Sequence, residues 1–169
     1  MGSIYLKNRM GTELTDEEMK DIPNPKTELT IHVTTRVVQA FGLLSTVLIG
    51  PLAAVAKAET RNLAGIARKV KTCGKYGVLL GFVIGPGMTV ARMNSLDADG
   101  IYDRCYRLRN NENQRRVDQS FVVATPAGAV VAAATGSSPI LGALLGMTGA
   151  VFAVAAYNQS LATKKNVSA

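Results

Sequence analysis

Catalytic chemistry has little to draw on in this chain, which carries one histidine, His32, two cysteines, Cys73 and Cys105, and no tryptophan in 169 residues. A nucleophile paired with a base, or a metal site, is the minimum an enzyme needs. A lone histidine is more often an interfacial polar residue than a ligand. No catalytic residue, cofactor or metal is expected, and the chain does not read as an enzyme. Two partial motifs fail on inspection. Gly85-Pro86-Gly87 opens like a dinucleotide-binding loop, but Val90 replaces the third glycine. Ser95 to Tyr106 places Asp97, Asp99 and Gly100 like a calcium loop, but Tyr106 stands where the bidentate Glu belongs.

Charge is missing over long stretches. The 45 residues from Gln119 to Thr163 contain no Asp, Glu, Lys or Arg. That is about twice the ~20 apolar residues needed for one bilayer-spanning helix. Thr135-Gly136-Ser137-Ser138-Pro139 interrupts the stretch, so it reads as two membrane helices, 119–135 and 139–163, joined by a tight turn. A soluble bundle would need a polar outer stripe on each helix, and neither half has one. A third uncharged run lies between Arg36 and Lys57 and a fourth between Lys75 and Arg92, giving helices at 37–56, with room for an earlier start near Thr30, and at 76–93. Pro51 is expected to kink or loosen the end of the first. The fold class is therefore an all-α membrane protein with four transmembrane helices over 30–163, a polar N-terminal arm at 1–29 and a C-terminal tail at 164–169.

Glycine takes the place of side chains along these helices. Gly77, Gly81 and Gly85 recur every fourth residue in the second, and Gly142 and Gly146 repeat the device in the fourth. Ala124, Gly128, Ala132 and Gly136 do so in the third. Helices in lipid associate by close backbone packing, which this spacing permits. No Asp, Glu, Lys, Arg or His lies inside any of the four runs, whereas proton and ion pathways depend on such residues.

The charges that are present sit between the runs. They sum to +7, and the mean hydropathy is +0.15. Few aromatics accompany the basic clusters, so nucleic acid is not an expected partner. Residues 57–75 read as a basic loop with Lys57, Arg61, Arg68, Lys69, Lys71 and Lys75 against Glu59. The positive-inside rule keeps such a loop on the side of synthesis, and Arg68, Lys69 and Lys71 are candidates for anionic lipid head groups. In the N-terminal arm, which has no apolar core, Thr15 and Glu18 fit a capping box for one short helix ended by Pro23 and Pro25. Any address is expected to be internal. The loop from Arg92 to Asp118 should hold a short surface helix in which Asp103 pairs with Arg107 and Ile101, Cys105 and Leu108 share an apolar face. Tyr102, Arg104, Tyr106, Arg107 and Arg109 suit a protein interface. Cys73 and Cys105 fall in loops on opposite sides of the membrane, which excludes a disulfide between them.

Four short glycine-rich helices with a basic first loop and a longer charged second loop resemble the Tim translocase family of the mitochondrial inner membrane. Tyr102-Asp103-Arg104-Cys105-Tyr106-Arg107-Leu108-Arg109 with Asn113-Gln114-Arg115-Arg116-Val117-Asp118 is more similar to a diverged branch, the accessory subunits of respiratory complex I known as alpha subcomplex subunit eleven. The resemblance covers about residues 30–163. Arg115 and Asp118 stand closer together than in the translocase pattern, and Thr125-Pro126-Ala127-Gly128 replaces its paired glycines, which suits a structural descendant. It implies a non-catalytic scaffold subunit of the membrane arm, in contact with other subunits and with anionic lipid such as cardiolipin, its first loop in the matrix. The alternative it implies is a component of an inner-membrane translocase or channel.

Overall fold

Pro25 opens the longest continuous run of helix at the N-terminal end, because a proline at the first helical position gives up an N–H that would have no partner there. The computed structural model describes residues 3–167, and these form helices without strands. The ends of the expected arm and tail, residues 1–2 and 168–169, lie outside the described residues. Helix α1 (Ser3–Met10) stops at Gly11, whose φ of +86° suits a residue without Cβ. Helix α2 (Asp16–Lys20) starts with the expected capping box. The Glu18 N–H donates to Thr15 Oγ1 at 3.2 Å and the Thr15 N–H to Glu18 Oε2 at 3.1 Å. The Thr15 N–H, and then Lys7, hold the Glu18 carboxyl below its ordinary pKa, so this cap weakens as pH falls through that lowered value.

All four apolar helices are longer than their uncharged runs. The first comprises α3 (Pro25–Leu44), a π turn at Ser45–Ile49 and α4 (Gly50–Val55), not 37–56. The arm therefore ends at residue 24. In the π turn the Gly50 N–H reaches back to the Ser45 carbonyl, and this widened turn precedes Pro51, which has no N–H to give. Helix α5 (Leu63–Met93) begins at an Asn62 cap, where Oδ1 accepts from the Gly65 N–H at 2.8 Å. Most of the expected basic loop is thus helix, because Ala, Lys and Arg continue a capped helix readily whether or not the segment is apolar. Only the link around the single turn Ala58–Thr60 remains, and Cys73 lies within α5 instead of in a loop. Helix α6 (Ala98–Arg109) is the expected surface helix, capped by Asp97. Helix α7 (Glu112–Ala134) starts earlier than 119, at an Asn111 cap, and α8 (Pro139–Val167) runs on into the expected tail. Between them Gly136 adopts φ +71° while the Ser137 N–H bonds the Ala132 carbonyl at 2.7 Å, so Gly136 belongs to the turn and not to a packing ladder.

The helices pair as two tight hairpins. A Cβ on Gly81 would stand 2.6 Å from Val38 Cα, and one on Gly85 2.6 Å from Thr34 Cα. One on Gly77 would meet Ser45 and the Phe41 carbonyl. Backbone therefore touches backbone between α3 and α5. In the second hairpin Gly128 of α7 lies against Gly142 and Gly146 of α8, and Gly146 against Ala124. Larger side chains join the hairpins, with Met147 against Gly42 and Leu144 against Gly74. At the end bearing both termini, α1, α2 and α6 form a cap. Its core is Ile22, Leu29, Ile101 and Cys105, with Leu108 packed against them.

This distribution reverses that of a protein folded in water, where large apolar side chains fill the interior. Along α5 the buried residues include Gly74, Gly77, Gly81 and Gly85, whereas Leu79, Phe82 and Val83 are exposed, Val83 by 74%. Val123, Val130 and Phe152 face outward from the second hairpin as well. Four of the helices are long and apolar enough to cross a membrane.

Candidate functional site

Extending the helices brings polar residues that lie outside the uncharged runs, His32, Arg36, Gln114 and Asp118, together with Gln39 from inside the run after Arg36. His32, Arg36 and Gln39 fall on one face of α3 at spacings of four and three, and Gln114 and Asp118 lie one turn apart on α7. The two faces meet. Asp118 Oδ1 accepts from Gln114 Nε2 at 2.8 Å and from Gln39 Nε2 at 3.1 Å, while His32 Nδ1 stands 3.6 Å from Oδ2. The Arg36 guanidinium donates to Gln39 Oε1 at 3.1 Å and to Gln114 Oε1. A buried carboxylate is tolerated only when its lone pairs are satisfied, and here two amides do so while relaying it to Arg36.

A second polar lock lies above it. Arg109 is 4% exposed and grips Glu28 through both carboxylate oxygens, with Nε to Oε2 at 3.0 Å. Its remaining N–H groups donate to the carbonyls of Glu18 at 2.8 Å and Asp21 at 3.0 Å. One side chain thereby closes α2, the start of α3 and α6 onto each other. Between the two locks is a cavity of about 40 Å³ bordered by Asn8, Glu28, His32, Arg109, Arg115 and Asp118. Asn8 Oδ1 is buried there without a hydrogen-bond partner. The space suffices for water, which needs ≳ 10–15 Å³ on this measure and polar neighbours.

This arrangement fixes the positions of the helices it joins. The Cys105 thiol is 2% exposed and donates to the Pro25 carbonyl at 3.1 Å. Burial first, and the Glu28 charge second, push its pKa from 9.0 to about 11. At neutral pH this leaves about 100-fold less thiolate than an ordinary cysteine has, and the thiolate is the reactive form. Maleimide should therefore label Cys105 at least that much more slowly in the folded chain than after denaturation, as followed by mass spectrometry. Rapid labelling of the folded chain would show that the cap does not bury this residue. Among the described residues no group of three or more His, Cys, Asp or Glu could hold a metal.

The interface residues expected from the sequence divide. Arg107 projects outward, paired with Asp103 one turn before it. Tyr102 is exposed and its hydroxyl donates to the Lys20 carbonyl at 2.7 Å, and Arg104 is half-buried beside Arg107. Arg109 is not available to a partner, because its position in α6 turns it into the cap with Ile101 and Cys105. Tyr106 is half-buried against the same core. Arg68, Lys69 and Lys71 lie on α5, with Arg68 the most open. Sequence reasoning did not connect His32, Arg36, Gln39, Gln114 and Asp118, because ending the helices at the first charge left Arg36 and Asp118 off the faces that meet. Their helical spacing was the available signal.

Gln39 tests the lower lock. Gln39→Leu removes one donor from Asp118 and one acceptor from Arg36 but leaves Gln114 in place. It should cost about 1–3 kcal/mol. Thermal unfolding of the detergent-solubilised chain, followed by circular dichroism, measures this, and an unchanged midpoint would mean that the amide relay does not hold the hairpins.

No curated protein matches the chain. Residues 5–157, which include the cap, the polar locks and most of both hairpins, match a family described as "Protein of unknown function (DUF1757)". The match covers most of the chain, and the chain belongs to the DUF1757 family.

Proposed function

We propose that the chain is a multi-pass protein of the mitochondrial inner membrane, acting as a non-catalytic accessory subunit that supports assembly and stability of the membrane arm of respiratory complex I. The observation that carries this reading is the division of α6. Its inner half, with Ile101, Cys105 and Arg109, closes on the chain itself, while the exposed Arg107, the half-buried Arg104 and the ring of Tyr102, anchored through its hydroxyl to Lys20, lie on the outer side of a rigid support. Arg and Tyr held in this way are suited to contact with a partner. The large apolar side chains facing outward from the hairpins suit lipid and neighbouring membrane helices. The buried charges support a scaffold as well, since Arg36 and Asp118 are bridged by amides and Arg109 is paired with Glu28. The likeness of residues 102–109 and 113–118 to the complex I accessory subunits adds the identity of the assembly. Arg68, Lys69 and Lys71 are assigned to anionic head groups such as those of cardiolipin.

Arg104→Glu with Arg107→Glu should lower the amount of intact complex severalfold, with NADH oxidation per remaining complex near wild type. Native gels with antibody against this chain, run alongside activity normalised to assembled complex, make the measurement. Normal assembly with reduced turnover would overturn the scaffold role. Comigration of the chain with protein-import machinery would overturn the assignment to complex I.

A further inference from the structure

The two hairpins do not close on each other along their whole length. Between α5 and the α7–α8 pair, with Val38 of α3 as floor, they leave an open groove of about 320 Å³. Val78, Leu79 and Phe82 form one wall, Phe121 and Ala143 lie opposite, and Lys75 stands at one end. Its volume is at the lower end of the ~300–1,000 Å³ typical of ligand sites. The accessible wall is apolar throughout, so the groove offers hydrogen bonds to nothing that enters it.

The helix that forms the first wall continues beyond Lys75 as a basic stripe. Arg68, Lys71 and Lys75 follow one another at spacings of three and four, and the same face then passes to Val78, Leu79 and Phe82. Among the described residues no acidic side chain forms an ion pair with Arg68, Lys71 or Lys75. Lys75 Nζ lies 4.8 Å from the centroid of the Tyr76 ring. One face of α5 thus carries unneutralised positive charge that leads without interruption into an apolar trough.

We propose that this groove is a binding site for one anionic phospholipid, with an acyl chain between the hairpins and the phosphate at Lys75, Lys71 and Arg68. The proposal rests on the membrane reading above and adds the site, the orientation of the lipid and the residue at its mouth. An extended peptide segment is a poor occupant, because its backbone N–H and C=O groups would go unsatisfied in an apolar trough. An acyl chain has none to satisfy. Charge selects the head group, since each Lys or Arg near an anionic lipid contributes on the order of a fivefold preference.

The test uses the full chain in nanodiscs containing equal phosphatidylcholine and phosphatidylglycerol, followed by release into mild detergent and native mass spectrometry of the retained lipid. Wild type should retain phosphatidylglycerol in clear excess. Lys75→Glu should lower that excess about fivefold or more. Ala143→Phe, which fills the groove without altering charge, should reduce retention of both lipids while helical content by circular dichroism is unchanged. Equal retention of the two lipids by wild type, or a phosphatidylglycerol excess that survives Lys75→Glu, overturns the head-group assignment. Full retention in a folded Ala143→Phe chain overturns the groove, and stoichiometric retention of a second protein copy in place of lipid does the same. Release of the chain from membranes by alkaline carbonate would instead remove the membrane reading on which the site depends, so the two failures are distinguishable.

Discussion

Gly142→Leu is expected to prevent the second hairpin from closing. A Cβ at this position would press directly on the Gly128 carbonyl group and on Ala132 Cβ, and a Cβ at Gly128 would in turn meet the Gly142 backbone and Gly146 Cα, the latter at 3.2 Å. These are backbone atoms and one alanine Cβ, so no rotamer change can relieve the overlap. Overpacking a core costs about 1–3 kcal/mol where side chains can adjust. Here the helices themselves must separate, which gives up the contacts of the whole seam. The loss should be at least about 3 kcal/mol, a fall in midpoint on the order of 10 °C. Gly149 supplies the control on the same helix. Nothing lies within 4 Å of a Cβ there, so Gly149→Leu should be neutral to within about 0.5 kcal/mol. Gly81→Leu should disrupt the first hairpin in the same way, against Val38. Thermal unfolding in detergent with helicity as the signal decides the matter. If Gly142→Leu and Gly149→Leu unfold at the same temperature, backbone contact does not hold this bundle together.

The glycine seams were legible because spacing alone carries them. A residue without a side chain every fourth position has the same meaning wherever the helix begins and ends. The turn at Gly136 and the cap at Thr15 were legible for a similar reason, since each is a local device of a few residues. Helix ends were not, because they depend on where a capping side chain sits and not on where apolar residues stop. Asn62 and Asn111 extend α5 and α7 well into charged sequence. The lower polar lock was hidden by the same error, because His32 and Arg36 stood ahead of the expected first helix and Asp118 was placed in a loop, whereas they belong to facing sides of two helices. Arg109 shows a different limit. In the sequence it is one more arginine beside Arg104 and Arg107, and only the direction of α6 relative to α2 and α3 separates the inward side chain from its outward neighbours.

That separation makes Arg109→Met the most informative change in the cap. The guanidinium gives both arms of its fork to Glu28 and further donors to the Glu18, Met19 and Asp21 carbonyls. Methionine fills similar space but leaves Glu28 as a buried, unpaired carboxylate, and breaking such a pair from one side costs about 3–5 kcal/mol. A marginal cap cannot absorb that. Helix α2 and the segment that leads into Pro25 should detach from α6, while the glycine seams, which contain none of these residues, stay closed. Detachment exposes Cys105, so its labelling by maleimide should accelerate by at least an order of magnitude, although helical content hardly changes. Removing the stranded charge as well, in Arg109→Met with Glu28→Met, should restore much of the loss, since replacing both members of a buried pair by apolar residues is often neutral or better. A purely surface role predicts the contrary pattern. Arg109→Met would then leave Cys105 as slow to label as in wild type and act only on assembly, as Arg104→Glu with Arg107→Glu is expected to do. Slow labelling in the single variant would therefore return Arg109 to the partner-facing set, and with it the view that α6 is an interface along its whole length.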